Sequence, residues 1–139
     1  MTTTPSAADL GLDRAGAFLR AAGLEFSEVT PTRVVGHIEL GRDQHTPWGV
    51  VHGGVYTTAV ESAASVGASA AVAESGRFAV GVSNSTDFLK SRTEGRVDVV
   101  AEPVQQGSVQ QLWDVRITDA KGTLLARGSV RLQNVTPRS

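Results

Sequence analysis

The sequence predicts an α+β domain in which an antiparallel sheet wraps around one long helix. The first observation is a run of about twenty small residues, residues 53–73, whose alanine content and spacing favour a single helix. The second is a set of β-rich stretches before and after it, separated by turn residues. The third is that only one long helix accompanies these strands. Its small side chains would let a sheet approach closely, so wrapping is the favoured architecture.

The elements before this helix follow from local patterns. Residues 1–8 predict a flexible tail without the basic start or apolar centre of a signal peptide. Residues 8–23 predict a short surface helix, because apolar side chains lie at helical spacing and Gly23 is a natural stop. Residues 24–40 predict a β-hairpin that turns at Pro31 and Thr32, and residues 41–52 predict a loop.

The elements after the long helix are all strands. Gly76 is a natural helix stop. The dipeptide Lys121-Gly122 marks a hairpin turn between the last two strands. The predicted strand regions are residues 78–90, 95–107, 110–122 and 123–135.

Composition limits the class of protein. The 139 residues fit one compact domain, for which we expect residues 9–139, and 40% hydrophobic residues can form its core. A net charge of -1 gives no reason to expect a nucleic acid or a membrane as partner. The absence of cysteine excludes disulfides, thiolate metal sites and a thiol nucleophile.

The small-residue run is too polar to span a membrane, so we expect a cytoplasmic protein. We expect no metal site, because the histidines do not cluster with carboxylates.

One carboxylate interrupts the small-residue helix. Glu61 has no lysine or arginine within a helical turn. A carboxylate buried without a partner is costly. One interpretation is that Glu61 points to solvent or pairs with a distant arginine. The other is that it serves as a catalytic base or nucleophile in a partly dry cleft.

Two glycines begin the same helix. Gly53 and Gly54 leave backbone N–H groups unshielded, and the helix dipole adds partial positive charge there. Such a helix start can stabilise an oxyanion, although it can also be a plain glycine-rich turn. Glu61 lies eight residues beyond Gly53, about 12 Å along a helix. One helix can hardly present both groups to one carbonyl, so we predict a composite site in which two antiparallel helices of a dimer meet.

The segments "GVVHGGVYTTAVESAAS", "GVSNSTDFLK" and "GRVDVVAEPVQQG" resemble the hotdog-fold acyl-CoA thioesterases. They are most similar to the branch that contains the phenylacetate-pathway and 4-hydroxybenzoyl-CoA thioesterases. The resemblance covers residues 24–134. It implies the hotdog fold, an acyl-CoA substrate and self-association as a homodimer or homotetramer.

The resemblance also implies roles for individual residues. Gly53 matches the glycine whose N–H polarises the thioester carbonyl, Glu61 matches the nucleophile or general base, and Ser65 matches a hydroxyl that orients water or the acid. The implied substrate contacts are Thr46, His52, Gly54 and Asn84. The implied contacts with the coenzyme A nucleotide are Lys90 and Ser108, and Arg92 is a further candidate that could assist them. Three aromatic residues are candidates either for an acyl pocket or for filling the core, namely Trp48, Tyr56 and Trp113.

The predicted activity is hydrolysis of an aromatic or medium-chain acyl-CoA to free acid and coenzyme A, with no cofactor beyond the coenzyme A of the substrate. Two alternatives stay open. A hotdog enoyl-CoA hydratase or dehydratase would pair His45 or His52 with Glu61. A non-catalytic acyl-CoA binding module would have no need of an acid at residue 61.

Overall fold

The structure is a computed structural model that describes residues 16–138. The predicted tail at residues 1–8 and the predicted helix up to residue 15 lie outside the described residues. The remainder of that helix is present as α1, Ala17–Ala22. It ends at Gly23, whose φ of 82° is the left-handed conformation that favours glycine at a helix C-cap.

Six antiparallel strands form one sheet. They are β1 (Glu25–Thr30), β2 (Arg33–Leu40), β3 (Phe78–Phe88), β4 (Gly95–Gln106), β5 (Gln110–Asp119) and β6 (Leu124–Val135). Their order is β1-β2-β4-β5-β6-β3, so β1 and β3 are the edge strands of the chain. β3 pairs with β6 in a register that sets Asn84 opposite Val130, with an irregularity between Gly81 and Ser83.

The long helix is α2, Gly53–Val72, followed by a 3₁₀ turn at Ala73–Ser75 that ends on Gly76. It contacts all six strands, which confirms the predicted sheet wrapped around a helix. Close approach explains its small residues. A Cβ at Gly67 would lie 2.5 Å from the Trp113 ring.

A polar network lies inside this core. The indole of the fully buried Trp113 donates a hydrogen bond to the Gln111 side chain at 2.9 Å. The Gln111 amide in turn donates to the Ala68 carbonyl at 3.0 Å and to Asn134 at 2.8 Å. Trp113 therefore fills the core and does not line an acyl pocket within this chain. Over residues 16–138, no helix combines the length and apolar character needed to cross a bilayer.

Candidate active site

The loop before α2 ends in a histidine that caps the helix. A 3₁₀ turn, Arg42–Gln44, leads into a short bridge between His45 and Val51. His52 then accepts a hydrogen bond at Nδ1 from the Gly54 N–H, at 2.7 Å. A neutral imidazole that accepts at Nδ1 carries its proton on Nε2. His52 therefore uses one nitrogen to cap α2 and retains the other as a donor.

Gly53 supplies the first N–H of α2, one of those that a helix leaves without an intrahelical acceptor. The Phe88 ring lies so close that a Cβ at Gly53 would be 3.0 Å from it. Both residues line a cavity of about 320 Å³ together with Tyr56 and Lys90. Burial raises the pKa of the Tyr56 phenol, and the charge of Arg92 partly offsets this effect.

The Glu61 carboxylate is half-buried and held by neutral donors. Asn84 Nδ2 donates to Glu61 Oε1 at 3.0 Å, and Ser65 Oγ donates to Oε2 at 3.4 Å. Among residues 16–138, no lysine or arginine forms an ion pair with this carboxylate. The carboxylate is therefore neither fully exposed to solvent nor paired with a distant arginine, the two non-catalytic interpretations given above. The donors orient the carboxylate without neutralising its charge.

Asn84 is itself fixed on both sides of its amide. Its Nδ2 also donates to the Thr57 carbonyl at 3.3 Å, and its Oδ1 accepts from Thr86 Oγ1 at 2.7 Å. The Thr57 carbonyl and the Glu61 carboxylate can only accept, so they specify that the NH₂ side of the amide faces Glu61. Asn84 therefore joins β3 to α2 and presents an N–H to the acid.

Glu61 lines a cavity of about 750 Å³. Of the predicted site residues, His52, Gly54 and Asn84 line the same cavity. Gly53 instead lines the second cavity with Lys90. One chain thus keeps Glu61 and Gly53 apart, as the eight-residue spacing predicts.

The structure does not bring every predicted residue to this cavity. Thr46 belongs to a tight turn in which its hydroxyl accepts from the Trp48 N–H at 3.2 Å, and it is not among the described residues that line the cavity. Trp48 is exposed at the tip of that turn. Within one chain, the Thr46 hydroxyl therefore stabilises the turn before α2.

The three predicted nucleotide contacts are dispersed. Arg92 pairs with Asp119, and its guanidinium lowers the pKa of that carboxyl to about 2. The Ser108 carbonyl accepts from Arg77, which follows the C-terminal end of α2. Because α2 has 20 residues, Ser108 lies roughly 30 Å from the helix start beside Lys90. A single chain does not join Lys90 and Ser108.

Sequence reasoning missed the residues that position the acid and its amide. Thr57 and Thr86 hold Asn84, and only the folded pairing of β3 with α2 reveals this. A Cβ at Gly81 would lie 2.0 Å from Glu61 Oε2, so glycine leaves the space that the carboxylate occupies. A glycine inside a strand pattern can signal such a close approach.

Comparisons with known proteins identify a family. The model of the thioesterase superfamily matches residues 49–126, more than half of the chain. The chain is 43% identical over 118 residues to Rv1847 of Mycobacterium tuberculosis (strain H37Rv), a protein provisionally named an esterase, covering 84% of each chain. The solved structure of that protein superposes with a TM-score of 0.84 at 42% identity, covering 89% of this chain and 100% of the other.

A second relative carries a substrate in its name. The chain is 33% identical over 103 residues to the 1,4-dihydroxy-2-naphthoyl-CoA hydrolase of Listeria monocytogenes (serotype 1/2a, strain 10403S), covering 74% of this chain and 83% of that one. The thioesterase HI1161 of Haemophilus influenzae shares the fold, with a TM-score of 0.85 at 22% identity over 96% and 93% of the two chains. These matches confirm the resemblance and the hotdog fold.

Proposed function

The chain belongs to the thioesterase superfamily and is a thioester hydrolase, and from this premise we propose that it hydrolyses an aromatic or medium-chain acyl-CoA with Glu61 as the reacting acid. The observation that carries this proposal is the half-buried Glu61 carboxylate, oriented by Asn84 and Ser65 beside a cavity. The family match favours hydrolysis over both the hydratase and the non-catalytic alternative.

Two routes use this carboxylate. As a general base, Glu61 takes a proton from water while the resulting hydroxide attacks the carbonyl carbon. As a nucleophile, Glu61 attacks that carbon, expels the thiolate and forms an anhydride that water then cleaves. In both routes negative charge develops on the carbonyl oxygen in the tetrahedral intermediate. When the intermediate collapses, the C–S bond breaks and coenzyme A leaves as the thiolate. The His52 Nε2–H and the N–H of Gly53 are the donors we assign to that oxygen.

The site is composite in our proposal. Glu61 and Gly53 line different cavities of one chain, so we assign the Gly53 donor to a second copy. The edge strand β3 supports self-association, because it exposes Phe78, Val80 and Val82 beside its open edge. In a homodimer or homotetramer, Lys90 and Arg92 beside the helix start and Ser108 from another copy would meet the nucleotide phosphates. We assign Thr46 to the rim of the site.

The acyl group is the finer part of the proposal. The Listeria relative is named for an aromatic acyl-CoA, and we extend that class to this chain. We expect no resident metal or cofactor, since coenzyme A arrives with the substrate.

The test is release of free thiol from benzoyl-CoA, 2-naphthoyl-CoA and octanoyl-CoA. Glu61→Gln keeps the size of the side chain and an acceptor for Asn84 but removes the base and nucleophile. We expect its kcat to fall about 10²- to 10⁴-fold. Glu74→Gln is the matched control, because Glu74 is an exposed acid just beyond the end of α2. A Glu61→Gln enzyme with wild-type kcat would refute the assignment.

A further inference from the structure

The cavity beside Glu61 has a wall that the proposed chemistry does not use. Helix α1 contributes four of its six residues to the lining, Phe18, Leu19, Ala21 and Ala22. The Phe18 residue is 75% exposed even though it lines the cavity. Covering an exposed apolar ring with an apolar ligand removes apolar surface from water, which favours binding.

The charges of the cavity indicate which part of an acyl-CoA it can hold. None of the described residues that line it is a lysine or an arginine, and Asp43 adds a second carboxylate to that of Glu61. Phosphates are therefore disfavoured here. Lys90 lines the other cavity, with Gly53. Because the reacting carbon must lie near Glu61, the acyl body is the part of the substrate that extends between Glu61 and α1.

One side chain links the C-terminal end of α1 to the loop before α2. Gln44 Nε2 donates to the Ala22 carbonyl at 2.7 Å, while its Oε1 accepts from the Gly41 N–H at 3.0 Å. The Gln44 carbonyl accepts from the His52 N–H at 2.8 Å. Gln44 thus joins the end of α1, the loop and the residue that caps α2.

We propose that α1 is the outer wall of the acyl subsite, that Phe18 and Leu19 select acyl groups with an extended apolar body over short ones, and that Gln44 is the positioning residue for this wall. The inference rests on the proposed thioesterase function and deepens it. The selected class is aryl and medium-chain acyl thioesters. A four-carbon acyl group reaches α1 poorly and gains little from Phe18.

The experiment compares kcat/KM for 2-naphthoyl-CoA and octanoyl-CoA with kcat/KM for butyryl-CoA. Loss of methylene-sized contacts in an apolar subsite costs about 10- to 200-fold, so Phe18→Ala should lower both ratios at least about tenfold. Leu19→Ala should lower them in the same direction, and Phe18→Leu should be intermediate. Val109→Ala is the matched control, because Val109 is 60% exposed in a turn outside the cavity.

A positioning role for Gln44 has its own readout. Gln44→Glu keeps the acceptor for the Gly41 N–H but sets a carboxylate oxygen against the Ala22 carbonyl. We expect KM for octanoyl-CoA to rise about tenfold while kcat stays near its wild-type value, because uniform binding is lost and the acid is untouched. A fall in kcat with KM unchanged would overturn the positioning role.

The outcomes separate the two proposals. If the wild-type protein releases no thiol from any of these substrates, the proposed function and this inference both fail. If it is active and the ratios of Phe18→Ala and Leu19→Ala stay within about twofold of wild type, the inference alone fails. Thermal unfolding of each variant shows whether the fold is retained, and Phe18→Leu supplies the comparison if Phe18→Ala does not fold.

Discussion

Replacement of Gly81 by alanine moves the Glu61 carboxylate without removing it. The new Cβ would lie 2.0 Å from Glu61 Oε2 and 3.0 Å from its Cδ, whereas ordinary contacts begin at 3.4 Å. The oxygen therefore has to shift by about 1.4 Å, the difference between the two distances. Oε2 accepts from Ser65, and Oε1, which accepts from Asn84 at 3.0 Å, has to move with it because a carboxylate is rigid, so the shift disturbs both hydrogen bonds. Because a misplacement of about 1 Å can cost about 10²-fold in rate, we expect kcat to fall by about that factor.

The backbone should tolerate this change. Gly81 is not among the glycines with positive φ, so alanine fits its conformation. We expect the Tm of Gly81→Ala to stay close to that of the wild type, since alanine in a strand costs less backbone entropy than glycine. The assay pairs initial rates of thiol release from 2-naphthoyl-CoA with thermal unfolding. Gly41→Ala is the control, because a Cβ there meets nothing within 4 Å and its φ of -161° is extended. A folded Gly81→Ala enzyme with wild-type kcat would refute the claim that this glycine positions the acid.

Two further predictions concern assembly and acid stability. Co-expressed Glu61→Ala and Gly53→Pro chains, each inactive alone, should regain thiol release as a heterodimer, and a purified heterodimer without activity would contradict the composite site. The pKa of Asp119 is lowered from 3.8 to about 2, mainly by the hydrogen bond from Arg92, so its contribution to stability is present above pH 3.8 and is lost as the pH falls through 2. Asp119→Asn should therefore lower Tm at neutral pH, and a Tm difference from wild type that is as large below pH 2 as at neutral pH would disprove this origin.

The fold was predictable where the signal is local. The bounds of α2 and of the other strands agree with the expected segments to within two residues, and β5 ends three residues earlier than expected. This agreement arises because alternation, glycine stops and turn dipeptides act over short distances. The pairing of β3 with β6 was not predictable, since no local pattern specifies which distant strand is a neighbour. No local pattern predicts the 3₁₀ turn at Arg42–Gln44, whose Gln44 side chain links α1 to the loop.

The site was predictable only in part for the same reason. Glu61 and Gly53 share one helix, so their spacing could be read directly, and the spacing implied that one chain cannot join them. Family resemblance implied that Asn84 contacts the substrate, and the structure adds that it lines the cavity and donates a hydrogen bond to the acid. That contact spans 23 residues and depends on the register of β3 against α2. The need for glycine at residue 81, which leaves space for the Glu61 carboxylate, can be recognised only once that register is known.

The small residues of α2 and the acid among them have a common explanation. Small side chains let the sheet approach so closely that Trp113 fits against Gly67, and the same closeness brings Gly81 and Asn84 of β3 to Glu61. A half-buried carboxylate that receives neutral donors costs folding free energy that a neutral side chain would not. The presence of such a carboxylate in a helix otherwise suited to packing is therefore the physical reason for our proposal that Glu61 reacts. Glu61→Gln should consequently unfold at the same or a higher temperature than the wild type while it loses turnover. A large drop in its Tm would instead make Glu61 a structural residue.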